Sequence, residues 1–259
     1  MLTYIKYGSG PTVWLAFHGI GQNAHCFEPL AHQLTHTHTI YSIELPHHGR
    51  SVLKQNQPTN WPAILTNAYW HGLVTLFLAT HSINRFSVIG FSMGGRFALV
   101  TAEHFAAQID GLLLLAPDGV TQDPWFRLAT STVAGRILLR FFLNHTHWLL
   151  KIGHGFVRIG LLSASQLRFA EVTMQTPAQR EQIYRSWTSF RTLKTTMRTF
   201  AIAMTTHQVQ VRLFLGQYDT VLPRRHMQPL EIALPTCQVL IIPTGHNSLV
   251  RRVAALLGT

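Results

Sequence analysis

The sequence predicts an α/β fold: a mostly parallel sheet of about seven strands with helices on both faces and an inserted helical cap. Three observations carry that expectation. Short apolar, β-rich runs alternate with longer helical ones, the pattern of strands linked by crossover helices. Val13-Trp14-Leu15-Ala16-Phe17 and Leu112 to Leu115 are apolar on both faces, as parallel strands covered from both sides must be. From Gly119 to His207 the strand alternation stops, and long amphipathic segments rich in Leu, Phe, Arg and Thr take over. The expected organisation is therefore a core of residues 1–118 and 207–259 interrupted by a cap of residues 119–206.

Taken in order, residues 2–7 and 12–17 read as strands joined by the turn Gly8-Ser9-Gly10-Pro11. Residues 39–44, 86–90, 109–115, 211–216 and 239–242 complete the seven. Helices are expected over 27–35, 62–83, 93–107, 224–233 and 247–257, the second capped by Asn60 with Pro62 in its first turn. The longest uncharged stretch, Tyr69 to Asn84, contains His71, Gly72 and His81 and is too short for a span of about 18 apolar residues.

Composition narrows the function classes. Of 259 residues 47% are hydrophobic and only 12% charged, which excludes disorder, collagen-like repeats and coiled coil. The formal charge of +11 is uneven: residues 119–206 hold eleven Lys and Arg against three acids (Asp123, Glu171, Glu181). Cys26 and Cys237 have neither disulfide-framework nor zinc spacing and are expected as free thiols. The N-terminal residues show neither a basic n-region nor an apolar h-region, so a cytoplasmic location is expected. The close histidine pairs His36/His38, His47/His48 and His145/His147 lack an acidic or Cys partner at ligand spacing, and no metal is expected there. The basic charge comes without a helix-turn-helix, zinc-finger or RNA-binding signature, so no nucleic-acid partner is expected.

The chemistry is carried by Gly90-Phe91-Ser92-Met93-Gly94, between a strand and a helical pattern. A serine at so sharp a turn needs small residues two before and two after it, and the turn lifts the hydroxyl above the sheet edge. Such a hydroxyl needs a base and an acid that orients the base. Downstream, Leu215-Gly216-Gln217-Tyr218-Asp219 places an acid beyond one strand end, and Pro243-Thr244-Gly245-His246-Asn247 places a histidine beyond the next. Phe17-His18-Gly19-Ile20-Gly21-Gln22 supplies an early loop where backbone N–H groups could approach an oxyanion.

With these motifs in this order, the chain resembles the α/β-hydrolases, and Glu44-Leu45-Pro46-His47-His48-Gly49-Arg50-Ser51 is similar to the loop that family carries after its next strand. The resemblance covers residues 1–118 and 207–259. It implies Ser92 as nucleophile, His246 as general base and then acid, Asp219 as orienter, and the N–H groups of Met93 and Ile20 as oxyanion donors. Glu44 stands where the family often has Asp, a departure expected to affect loop packing. Asp118 is a rival acid, since some relatives place the carboxylate after the preceding strand; Asp219 is preferred.

The resemblance implies a serine hydrolase acting on a small or medium ester, thioester or related carbonyl compound with an apolar portion, through an acyl-serine and without a metal or organic cofactor. Substrate contacts are expected from His18, Phe91, Trp125, Phe126, Phe141 and Trp148, with Phe142 also on the cap wall. Two alternatives stay open. Arg96, in Ser-Met-Gly-Gly-Arg, is similar to the menaquinone-pathway lyase of this fold, which suits a carbon–carbon hydrolase or lyase acting on an acidic ketone. A small-molecule sensor with slow or no turnover is the other. Within the cap, Arg136, Arg140, His147, Lys151 and Arg158 would fall near one another on a continuous helix, and Gly153 and Gly155 are expected to break it. A lid over the site, an interfacial helix resting on anionic membrane, and a basic rim for acidic substrates all fit this segment, the lid best. Substrate identity and oligomeric state are not legible.

Overall fold

The computed structural model describes residues 2–51, 61–121 and 124–258, with the side chain of Trp125 excepted. Its sheet has seven strands: β1 (Tyr4–Tyr7), β2 (Thr12–Phe17), β3 (His38–Ile43), β4 (Phe86–Phe91), β5 (Ile109–Leu115), β6 (Gln210–Gly216) and β7 (Gln238–Ile242). They lie in the order β1-β3-β2-β4-β5-β6-β7. Only β1 is antiparallel, pairing Tyr4 with Ile43; the rest run parallel, so every turn from a strand into a helix opens at one edge. Chemistry gathers at that edge in sheets of this kind.

The core helices are α1 (Glu28–Leu34), α2 (Asn67–Thr80) and α3 (Met93–His104). The inserted block supplies α4 (Pro124–Ser131), α5 (Val133–Asn144), α6 (Thr146–Arg158), α7 (Ala164–Thr173) and α8 (Pro177–Ser189). The chain then returns through α9 (Met197–Thr206), α10 (Gln228–Ala233) and α11 (Leu249–Leu257). Strand β4 is buried at every residue, and α3 beneath it is buried from Met93 through Ala102. Phe17, Trp70, Phe97 and Phe190 interlock at ring distances of 4.8–6.4 Å. Trp70 Nε1 donates to Thr101 Oγ1 at 2.9 Å, which satisfies the buried indole.

Several sequence expectations shift. The second helix begins at Asn67, where the Thr66 hydroxyl accepts from the Tyr69 N–H, a standard N-cap; Asn60 lies outside the described residues. The segment ahead of it is used otherwise: Leu65 N donates to Ser189 O at 2.9 Å. Helix α9, assigned to the cap from sequence, packs on α3 and α10 and contributes Phe200, Ala201 and Met204 to the main core. The cap proper thus ends near Leu193, where Asn67 is bonded through both its amide atoms to Lys194.

Inside the cap, the continuous basic helix is two helices. The chain breaks at His145 (φ −116°, ψ 54°), which ends α5 and starts α6. Gly153 and Gly155 lie within α6 and do not break it; Gly153 is buried against Leu167 of α7. Both α7 and α8 begin with reciprocal capping boxes, Ser163 with Gln166 and Thr176 with Gln179.

Candidate active site

The turn from β4 into α3 sets Ser92 at φ 51° and ψ −122°, a conformation that costs about 1–3 kcal/mol and is held by its surroundings. Ser92 N donates to Leu115 O, and Ser92 O accepts from Gly95 N and Asp118 N at 2.8 Å each. The glycines at the turn answer to close contact. A Cβ at Gly94 would lie 1.9 Å from Phe17 O, and one at Gly90 would lie 2.6 Å from the Ala98 methyl. Phe17 and Gly94 must approach this closely for the loop after β2 to reach the serine.

Asp219 follows β6 and His246 follows β7, so neighbouring parallel strands deliver both to one place. His246 Nδ1 lies 2.6 Å from Asp219 Oδ2, and His246 Nε2 lies 3.0 Å from Ser92 Oγ. Asp219 Oδ1 accepts from the N–H groups of Val221 and Leu222 at 2.9 and 3.0 Å, which fixes the carboxylate's rotamer. Ser92, Asp219 and His246 are each 6% exposed. Asp118 lines the same cavity as Ser92 but is bonded to Arg96, which donates to its Oδ2 from Nε at 3.0 Å and Nη2 at 2.9 Å. The same guanidinium donates from Nη1 to Phe190 O and Leu193 O at 3.4 Å. Arg96 therefore ties the start of the inserted block to its end.

Loop 18–22 is braced through the side chain of Gln22. Gly19 N donates to Gln22 Oε1 at 3.0 Å, and Cys26 Sγ donates to the same oxygen at 3.1 Å. His18 is fully buried; burial and the neighbouring His48 push its pKa down to about 3. The ring is thus neutral, its Nδ1–H donating to Gly19 O at 2.8 Å and its Nε2 accepting from Leu45 N at 3.1 Å. His18, expected among the substrate contacts, is instead a strut between two loops and does not line the cavity. The N–H groups of Ile20 and Met93 take no backbone acceptor among the described residues, and both residues line the cavity next to Ser92.

That cavity has a volume of about 430 Å³, within the range of small-molecule sites. Phe126 lines it, together with Phe169, Trp187 and Phe190 from the cap and its return, and Val221 and Leu222 from the loop after Asp219. Phe126 meets Trp187 edge to face at 5.6 Å, and the Arg96 guanidinium lies 5.2 Å from the Phe126 ring centre. Ser186 Oγ, fully buried on the cavity wall, has no hydrogen-bond partner among the described residues. Phe91 lies behind the wall, its ring 5.0 Å from that of His246. Phe141 and Trp148 do not line the cavity and are 48% and 52% exposed, because α5 and α6 turn those positions to the outer surface. Phe142 is half-buried beside Phe141 and is also absent from the wall. The side chain of Trp125 lies outside the described residues.

Phe169 and Trp187 were not singled out from sequence, although Phe169 also meets the His246 ring edge-on at 6.0 Å. The only sequence signals near them were the Ser/Thr-x-x-Gln starts of α7 and α8, which fix where those helices begin. Among the described residues no cluster of three or more His, Cys, Asp or Glu could hold a metal ion.

The sequence pattern of the Alpha/beta hydrolase family matches residues 14–257. A protein of Mycobacterium tuberculosis described only as uncharacterized is 28% identical over 251 residues, covering 92% of this chain and 71% of that one. A pimeloyl-[acyl-carrier protein] methyl ester esterase of Xylella fastidiosa is 30% identical over 127 residues, 46% of this chain and 42% of the relative. Among solved structures, a thermophilic esterase from Thermogutta terrifontis superposes with a TM-score of 0.66 at 18% identity, covering 99% of this chain and 91% of that one.

Proposed function

Because this chain belongs to the alpha/beta hydrolase family, we propose that it is a serine hydrolase cleaving a small or medium carboxylic ester or thioester with an apolar acyl portion. The observation that carries the reading is the unbroken line from Asp219 Oδ2 through His246 to Ser92 Oγ, 2.6 and 3.0 Å long, opening onto an apolar cavity. The ester activity named for the Xylella relative agrees with it.

Ser92 Oγ attacks the substrate carbonyl while His246 Nε2 takes its proton, and Asp219 steadies the imidazolium through Nδ1–H. The carbonyl oxygen, now negative, accepts from the N–H groups of Met93 and Ile20. Collapse expels the alcohol or thiol, which takes the proton from His246 and leaves an acyl-Ser92 ester. Water then attacks that ester, giving its proton to His246; the acid departs and Ser92 recovers its hydrogen. Phe126, Phe169, Trp187 and Phe190 surround the acyl chain and exclude water, and the unpartnered Ser186 hydroxyl donates to a polar atom of the substrate.

The alternative on acidic ketones needs a basic residue, Arg96 or an arginine of the cap, to grip a substrate carboxylate. The Arg96 guanidinium already faces Asp118 through two hydrogen bonds, which favours the ester reading. A chain-length series of chromogenic esters, run on wild type and Ser92→Ala, tests it. Turnover should pass through a length optimum and fall by about 10⁴-fold or more in the variant, since triad members act as a unit. Undiminished turnover in Ser92→Ala removes the proposal.

A further inference from the structure

The outer surface of the cap carries a pattern that ester turnover does not use. On α6, Trp148, Ile152 and Phe156 are spaced four apart, and Ile159 follows three later. All four are 42–66% exposed and fall on one stripe of the helix. On α5, Val133, Ile137 and Phe141 repeat the spacing with Leu138 beside them, again 48–67% exposed. The stripes meet at the corner: Phe141 stacks on His145, His145 meets His147, and His147 meets Trp148, at ring distances of 4.3, 6.3 and 5.5 Å.

Charge frames this apolar band. From Pro124 to Ala170 the chain has six Lys and Arg and no Asp or Glu; the carboxylate that faces α6 is Glu171 of α7, 3.5 Å from His154. Lys151, beside the stripe, rests its ammonium 5.5 Å from the centre of the Trp148 ring. Arg158 and Lys151 pair with no carboxylate among the described residues, and Arg140 reaches Glu181 only at 3.8 Å. An aromatic and aliphatic stripe flanked by unpaired cations is the chemistry of the boundary between lipid headgroups and acyl chains. A second copy would bring two positive faces together, which repel. No described helix is long and apolar enough to cross a membrane.

We propose that the outer face of α5 and α6 docks on an anionic bilayer, with the Trp148 stripe in the headgroup layer and Lys151 and Arg158 on the phosphates. The proposal stands apart from the turnover reading, because vesicle binding is measured without activity. The whole chain is cosedimented with phosphatidylcholine vesicles holding graded phosphatidylglycerol. Binding should rise with the anionic fraction and weaken about tenfold or more between low and high salt. Ile152→Glu with Phe156→Glu should weaken it at least about tenfold while leaving hydrolysis of a water-soluble ester unchanged. Lys151→Glu with Arg158→Glu should remove the preference for anionic over neutral vesicles. Quenching by bromolipids, compared between wild type and Trp148→Phe, reads insertion at residue 148 without adding charge. Absence of anionic-vesicle binding at low salt, or binding untouched by both double variants and no quenching at Trp148, overturns the proposal. A dimer abolished by the Glu pair, or retention on an acidic protein, without vesicle binding overturns it equally.

Discussion

Helices α3 and α6 are of similar length and both rich in apolar residues, yet they are used in opposite ways. Ten of the twelve residues of α3 are buried, whereas in α6 only Gly153 is. The first helix is locked on all sides and begins directly after Ser92; the second shows one apolar stripe to the outside. On the proposed readings, chemistry would sit where the surroundings over-determine position, and contact with the exterior would be made from a layer that packs on one side. Fixed donors and acceptors serve a reaction better than mobile ones, while a surface that meets other molecules must leave apolar area uncovered.

The sharpest way to break this contrast is to exchange carboxylates on either side of it. Asp219→Asn should lower kcat by about 10⁴-fold, because the imidazole loses the partner that sets its tautomer. Asp118→Asn should cost less than about tenfold in kcat and act mainly on stability. Parallel ester kinetics on the two variants decide the matter, and a larger loss at Asp118 reverses the assignment of the acid.

Acid should loosen the loops that hold His18, His47 and His48. Burial pushes His18 down to about 3 and His47 and His48 down to about 4. Their folded values lie below the unfolded one, so the unfolded chain binds more protons and stability rises with pH across that interval. The contribution is complete above about 6.5 and drains as pH falls toward 4, a loss on the order of several kcal/mol. Urea midpoints at pH 7.5, 6, 5 and 4.5 should fall steadily, and flat midpoints would show that these rings are not buried neutral.

A phenylalanine tests the same contrast by packing alone. Phe97→Ala, at a fully buried position on α3, should cost about 3–5 kcal/mol. Phe156→Ala, 47% exposed on α6, should stay within about 0.5 kcal/mol. Chemical denaturation of both variants reads the difference, and equal losses would mean that the outer stripe is covered in solution. The smallest expected effect concerns Cys26, whose thiol burial raises to about 12. Iodoacetamide at pH 8 should modify it far more slowly than the same cysteine in urea.

The contrast also explains what was legible in the sequence. Strand β4, the turn at Ser92 and the loops holding Asp219 and His246 could be read because steric demands leave few residue choices: Gly94 must admit Phe17 O, and β4 must be apolar on both faces. The cap resisted because its helices carry apolar residues on more than one face. Nothing in the sequence distinguishes Phe169, which meets His246, from Phe141, which faces outward. His18 was expected against substrate and is a strut, since a buried neutral ring bonded to two backbone groups looks the same in sequence as one that contacts substrate. The far end of the cap was misjudged because α9 is as amphipathic as its neighbours while packing on α3.

Arg96 holds Asp118 at the departure of the inserted block and the carbonyls of Phe190 and Leu193 at its return. One side chain thereby closes an excursion of some seventy residues, and the cost of closing such a loop grows only slowly with its length. A segment fastened at both ends in this way can differ in length or composition while Ser92, Asp219 and His246 keep the positions their strands give them, so the wall of the cavity can vary separately from the three side chains it covers.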